Sequence, residues 1–164
     1  MKTGGTSIEQ VFWGKPIHKH KGAGFHKLNH KEWDNYFKFT FVRNPWDRIC
    51  SLWWNRQYYP PRKQPPAILP FNEWVNKWFL HPKKRRKGHP QPSQLKRISC
   101  NGKIELDFIG RFENLQNDFN IVCDKIGIKR ITLPHHFAER SPSDRKPYTE
   151  YYDEETKELY VKKT

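Results

Sequence analysis

Phe39-Thr40-Phe41-Val42-Arg43-Asn44-Pro45-Trp46-Asp47-Arg48-Ile49-Cys50-Ser51 reads as a strand that runs straight into a helix. Phe37, Phe39 and Phe41 alternate with Lys38, Thr40 and Val42, the period of a strand with a buried face, expected over residues 36–42. Asn44 then suits an N-cap, Pro45 brings the fixed φ of a first helical position, and Asp47 puts a carboxylate in the first turn. Ile49, Leu52 and Trp53 continue an apolar face, and the helix is predicted to end near Tyr58, since Tyr59-Pro60-Pro61 and Pro65-Pro66 cannot extend it. This join places Arg43 at the carboxyl end of a strand, where open α/β sheets hold ligands. Asn44, Arg48 and Ser51 follow at spacings of four and three, on one side of the helix. Arg43 and Ser51 are thereby expected to hold one phosphate, by a charge-assisted fork and a hydroxyl. Arg48 reads more simply as a surface salt bridge.

Lys2-Thr3-Gly4-Gly5-Thr6-Ser7 is the second informative segment. Glycines let a backbone wrap closely around a phosphate, and a helix start directs its N–H groups and the positive end of its dipole toward one. Ile8, Val11, Phe12 and Trp13 supply the apolar side of such a helix, predicted over Ser7–Trp13. A nucleoside-triphosphate loop is excluded, because here the lysine precedes the glycines and no G-x-x-x-x-G-K-S/T spacing exists in the chain. Taken alone, the segment also fits an ordinary Gly-Gly turn beside a solvated lysine. Taken with residues 39–51, it reads as half of one anion-binding site.

The composition agrees with an anionic partner. In 164 residues, 31 Lys and Arg oppose 17 acidic residues, a net charge of +14. Such a charge suits a polyanionic cofactor, an acidic or sulfated sugar, or nucleic acid, and does not choose among them. Seven Trp, seven Tyr and eleven Phe supply core volume despite the low mean hydropathy, so the chain is a folded protein rather than a basic tail. Its length corresponds to one domain. Cys50, Cys100 and Cys123 are odd in number and form no C-x-x-C pair, which argues against a zinc site or a disulfide framework; Cys50 and Cys123 read as small core residues. No stretch approaches the ~20 apolar residues of a membrane span.

The two segments together resemble the carbohydrate-type sulfotransferases that use 3′-phosphoadenosine 5′-phosphosulfate, PAPS. Lys2 to Ser7 is similar to that family's 5′-phosphosulfate loop, and Phe41 to Ser51 to its 3′-phosphate segment. Asp107-Phe108-Ile109-Gly110-Arg111-Phe112-Glu113-Asn114-Leu115 and Tyr148-Thr149-Glu150-Tyr151-Tyr152-Asp153 extend the likeness nearly end to end. The resemblance implies one sulfotransferase-like α/β domain over residues 1–164, with a mostly parallel sheet flanked by helices in the nucleotide-kinase-like, P-loop-like arrangement and a basic, Pro-rich insertion at about 59–93. It implies transfer of a sulfuryl group from PAPS to a carbohydrate hydroxyl, the acceptor being anionic, with no metal required and nucleic acid disfavoured as a partner. It further implies a hydrophobic strand before Lys2 and a continuation after Thr164, so the chain is expected to be truncated at both ends relative to the family. The compartment is expected to be cytoplasmic for a microbial or viral source, or the Golgi lumen for a fragment of a eukaryotic enzyme. The competing class is a non-catalytic basic module that binds nucleic acid or sulfated glycan.

Site residues follow from the same likeness. Lys2 is expected at the bridging and leaving oxygens, and Thr3, Gly4, Gly5, Thr6 and Ser7 around the phosphosulfate. A histidine between the two phosphate segments often serves the family as general base. His20, in Lys19-His20-Lys21-Gly22-Ala23, is preferred over His18, His26 and His30 because it resembles one that opens a short helix there; neighbouring lysines favour its neutral form. Ser141-Pro142-Ser143-Asp144-Arg145-Lys146-Pro147-Tyr148 resembles a loop that closes over the nucleotide, bringing Arg145, Lys146 and Tyr148 to phosphate or adenine, though a plain surface turn fits equally. Arg111 and Glu113 are expected to form a buried or half-buried structural ion pair.

Elsewhere, Phe71, Trp74, Val75, Trp78 and Phe79 recur as an amphipathic helix whose aromatic stripe reads as core. Lys83-Lys84-Arg85-Arg86-Lys87 reads as a surface loop or a grip on an anionic acceptor. Asn101-Gly102 signals a hairpin turn leading into a strand at 105–109. A helix capped by Asn114 and stopped by Gly127, a short strand over 128–133 and a final helix from about Asp153 complete the pattern.

Overall fold

The computed structural model describes residues 2–17, 21–58, 69–80, 93–135 and 145–163. Contacts divide the chain into two compact units, one from residues 1–44 and 92–136, the other from 45–91 and 137–164.

In the first unit, α1 (Gly5–Trp13), α2 (Ala23–Asn29) and a 3-10 turn at Trp33–Asn35 precede β1 (Phe39–Val42). After α5 (Gln94–Ile98) come β2 (Ser99–Cys100), β3 (Lys103–Ile104), β4 (Phe108–Arg111) and α6 (Leu115–Ile126). β1 and β4 pair in parallel with Phe41 opposite Gly110 and Val42 opposite Arg111. The start of this sheet is locked reciprocally: the Lys38 carbonyl accepts from the amides of Asp107 and Phe108, while the Lys38 amide donates to the Asp107 carboxylate at 2.6 Å. Ile8 from α1, Phe41 from β1, and Phe119, Val122 and Cys123 from α6 form the core, with Phe12, Leu115 and Ile126 packed against it. The apolar stripes read from the sequence are thus the ones that meet.

The hairpin forms as expected. Asn101 (φ 50°) and Gly102 (φ 78°) both take the left-handed conformation, which matches the twist of the antiparallel β2 and β3. The strand after it starts at Phe108 rather than Glu105, and β1 starts at Phe39 rather than 36. Gly127 ends α6 at φ 73°, its amide bonded to the Asp124 carbonyl. No strand forms over 128–133. Instead the Gln116 side chain donates to the Ile131 carbonyl (3.1 Å) and accepts from the Leu133 amide (2.8 Å), so one primary amide satisfies the groups that a neighbouring strand would have taken.

The second unit contains α3 (Pro45–Tyr58), α4 (Phe71–Trp74), a wider π-helical continuation over Val75–Leu80, a 3-10 turn at Tyr148–Glu150 and α7 (Glu154–Lys163). Its core joins Ile49 and Cys50 of α3 to Phe71, Val75, Tyr152 and Tyr160. Trp46 contacts Tyr152 and Tyr160 with ring centroids 4.8 and 4.3 Å apart, and its carbonyl accepts from the Tyr152 hydroxyl. Phe71, Trp74 and Val75 pack as core, as their spacing predicted. Asp153 caps α7 by accepting from the Thr156 amide at 2.8 Å.

Candidate functional site

Buried polar side chains are costly unless they serve a purpose, so their positions are informative. Among the described residues, the polar or charged side chains buried from solvent are those of Thr3, Arg43, Arg48, Ser51 and Thr156. Four of these five lie in the two segments that the sequence singled out.

In the first unit the segments converge. α1 starts as soon as the chain leaves Gly4, whose φ of 79° and carbonyl bonds to the Ser7 and Ile8 amides form its N-terminal turn. A Cβ on Gly4 would lie 2.6 Å from a Leu115 methyl, whereas one on Gly5 would meet nothing within 4 Å. Leu115 of α6 therefore presses against the loop at Gly4, while the space beside Gly5 is open, a shape that suits close approach of a phosphate group. Lys2 adopts φ 63°, uncommon for a side chain with a Cβ and a mark of a constrained loop.

Arg43 links this loop to the sheet. It is only 6% exposed, its guanidinium donates to the Lys2 carbonyl at 3.2 Å, and it stacks on Phe112, 4.0 Å from the ring centroid. The Gln94 side chain accepts from the Arg43 amide at 2.9 Å and donates to the Arg43 carbonyl at 2.8 Å. Next along the chain, the Asn44 amide donates to Glu113 at 2.6 Å. The carboxyl ends of β1 and β4 and the α1 N-terminus thus bring together Arg43, Lys2, Phe112 and Glu113.

Glu113 is exposed, as is Arg111, so the expected buried or half-buried Arg111–Glu113 ion pair is not what these residues form. Glu113 orients the strand-to-helix turn, while the Arg111 amide donates to Asp118. Gln94 and Phe112 were not foreseen as site residues. Gln94 lies 51 residues from Arg43, and neither its side chain nor an aromatic one carries a local signal for contact with a distant arginine.

Also in this unit, His26 and His30 of α2 stack with centroids 5.4 Å apart and line a cleft of about 470 Å³ with Trp13, Trp33, Lys38 and Arg97. Partial burial holds the His26 pKa below the usual histidine range, with the charge of His30 acting in the same direction. His18 and the preferred base His20 lie outside the described residues, as does the Lys83–Lys87 cluster.

In the second unit, Ser51 is buried on α3. Arg48 is 4% exposed, which corrects the expectation of a surface salt bridge: its helix face turns into the aromatic core, where its charge partly offsets the upward push that burial gives the Tyr160 hydroxyl. Arg145 donates to Asp47 at 2.8 Å, both side chains being largely buried. The Tyr151 hydroxyl accepts from Trp54 Nε1 (3.0 Å) and from the Lys146 amide (3.1 Å). Residues 145–151 are therefore tied to α3, with Tyr148 packed beside the core, rather than forming a plain surface turn. Among the described residues no three His, Cys, Asp or Glu side chains group to hold a metal ion, and no helix is long and apolar enough to cross a membrane.

The sequence profile of the Sulfotransferase family matches residues 15–164. The chain belongs to the sulfotransferase family. The chain is also similar to an uncharacterized protein of Archaeoglobus fulgidus, 31% identical over 102 residues that cover 62% of this chain and 77% of that protein. No solved structure matches it significantly. Its parallel strand pair flanked by helices fits the family's fold, and sulfuryl transfer is the family's reaction. The match takes in Arg43, Ser51, Arg145 and Tyr148 and starts beyond Lys2–Ser7.

Proposed function

We propose that the protein transfers a sulfuryl group from PAPS, the donor that the family generally uses, to a hydroxyl of an anionic carbohydrate. The observation that carries this reading is the bond from the Arg43 guanidinium to the Lys2 carbonyl, which joins the two segments a 3′,5′-bisphosphorylated nucleotide would need. Gly4, pressed by Leu115 at its back and followed by an open helix start, supports a phosphate cradle at Thr3–Ser7.

Bound PAPS supplies an activated sulfuryl group: one S–O bond to its phosphate breaks as another forms to the acceptor oxygen. The protein's part is alignment and charge. Backbone N–H groups at the start of α1 hold the 5′ side, and the Lys2 ammonium offsets the negative charge that grows on the leaving oxygen. Arg43 holds the 3′-phosphate by a charge-assisted fork, and the likeness to the family assigns the Ser51 hydroxyl to that phosphate. The likeness to the family assigns Arg145 and Tyr148 to the same nucleotide. His20 takes the proton released by the acceptor hydroxyl.

Titration calorimetry with adenosine 3′,5′-bisphosphate, against 5′-AMP and ATP, tests the cofactor assignment. Saturable binding that requires the 3′-phosphate is expected. Arg43→Ala should weaken it by about 10- to 100-fold, the worth of one or two charge-assisted hydrogen bonds. Equal affinity for 5′-AMP, or an indifferent Arg43→Ala variant, would sink the assignment.

A further inference from the structure

We infer that Gln94 is a positioning residue that sets nucleotide affinity by clamping the backbone of Arg43, an inference that rests on the PAPS reading of the site. In extended backbone the N–H and C=O of one residue point to the same side. A neighbouring strand would normally take both, yet among the described residues β1 pairs only with β4. Gln94 takes the two groups of Arg43 instead, at 2.9 and 2.8 Å, with one acceptor and one donor on the same side-chain amide. No other residue type of this length carries both in that arrangement.

The clamp has a base of its own. Gln94 opens α5, where the Ser93 hydroxyl caps the helix by accepting from the Lys96 amide at 3.1 Å and Ile98 is buried at the far end. Arg43 is thereby fixed at its backbone by Gln94, while the Phe112 ring and the Lys2 carbonyl together hold its guanidinium. Loss of the first leaves the strand end able to rotate about φ and ψ, and the tip moves most. Because that tip also braces the Lys2 loop, Gln94 acts on both phosphate segments without touching either phosphate.

The test is adenosine 3′,5′-bisphosphate calorimetry on the full chain for wild type, Gln94→Ala, Gln94→Met and Ser93→Ala, with hydrogen exchange of the Arg43 amide measured in each. Gln94→Met keeps the bulk and neither bond, so it serves if the alanine variant folds poorly. Ser93→Ala costs α5 its cap but leaves the clamp, and so reports what mere helix stability is worth. Expected are about tenfold weaker binding for both Gln94 variants, faster exchange at Arg43, and near wild-type affinity for Ser93→Ala. Wild-type affinity in the Gln94 variants, or a loss in Ser93→Ala equal to theirs, would overturn the inference. If wild type itself fails to bind, the PAPS reading falls; Arg43 exchange then still decides the clamp, unchanged protection in the Gln94 variants refuting it and lost protection upholding it.

Discussion

Gly4 concentrates two demands at one position: a left-handed φ of 79° and a space that a Leu115 methyl already fills to within 2.6 Å of a would-be Cβ. Gly4→Ala should therefore cost about 1–3 kcal/mol of stability, through backbone strain and overpacking together. Adding Leu115→Ala should restore only the packing share, leaving the double variant short of what Leu115→Ala alone predicts; thermal unfolding of the four proteins in the cycle measures it. Were Gly4→Ala neutral, the loop would not be built as described. The need for glycine was legible from the sequence, since Gly-Gly after Lys-Thr signals an unusual backbone. The identity of the residue behind it was not, because Leu115 is over a hundred positions away and looks like any other member of an apolar stripe. Arg43 shows the same division: its place at a strand end was readable, while its stacking on Phe112 and its hold on Lys2 depend on how β1 and β4 pair.

Secondary elements were the most legible level wherever the signal was local. Asn44-Pro45, Asn101-Gly102 and Gly127 each act through their own backbone preferences, and the helix, hairpin and helix end they imply are present. The expected strand over 128–133 failed for a non-local reason, since Gln116 on α6 meets its backbone first. Gly110 of β4 is the element-level counterpart of Gly4. A Cβ there would lie 2.5 Å from the Phe41 ring and 3.1 Å from Asp118 Cβ, so Gly110→Ala should push β4 or α6 away from β1 and cost about 1–3 kcal/mol, read from a denaturant midpoint. Helix α2 offers a pH test. The native His26 pKa is depressed, so the unfolded chain binds the proton more tightly. The stability His26 contributes is thus complete above the unfolded value of about 6.5 and is lost as pH falls through the native one. Unfolding followed between pH 8 and 5 should show wild type losing stability across that window and His26→Gln losing less; parallel curves would refute it.

For the whole molecule, net charge +14 promises attraction to any polyanion, and salt separates attraction from recognition. A nucleic acid or sulfated polymer held by several counterion-releasing contacts should lose about 10³-fold or more in affinity between 50 and 200 mM salt. Adenosine 3′,5′-bisphosphate, small and gripped by few groups, should lose far less and keep its requirement for the 3′-phosphate. Fluorescence titrations at the two salt concentrations measure both slopes; equally steep slopes would favour a basic module over a nucleotide site. Composition alone revealed the charge but not this distinction, which depends on where buried cations sit.

The burial of two cysteines has a practical consequence at the same scale. Cys123 lies in the core of the first unit and Cys50 in that of the second, while Cys100 is partly exposed. A thiol-alkylating reagent should mark Cys100 quickly and reach each of the others only when its own unit breathes open. Mass-resolved labelling of the unmodified chain thus furnishes two native clocks, and adding bisphosphate will show which of them it slows.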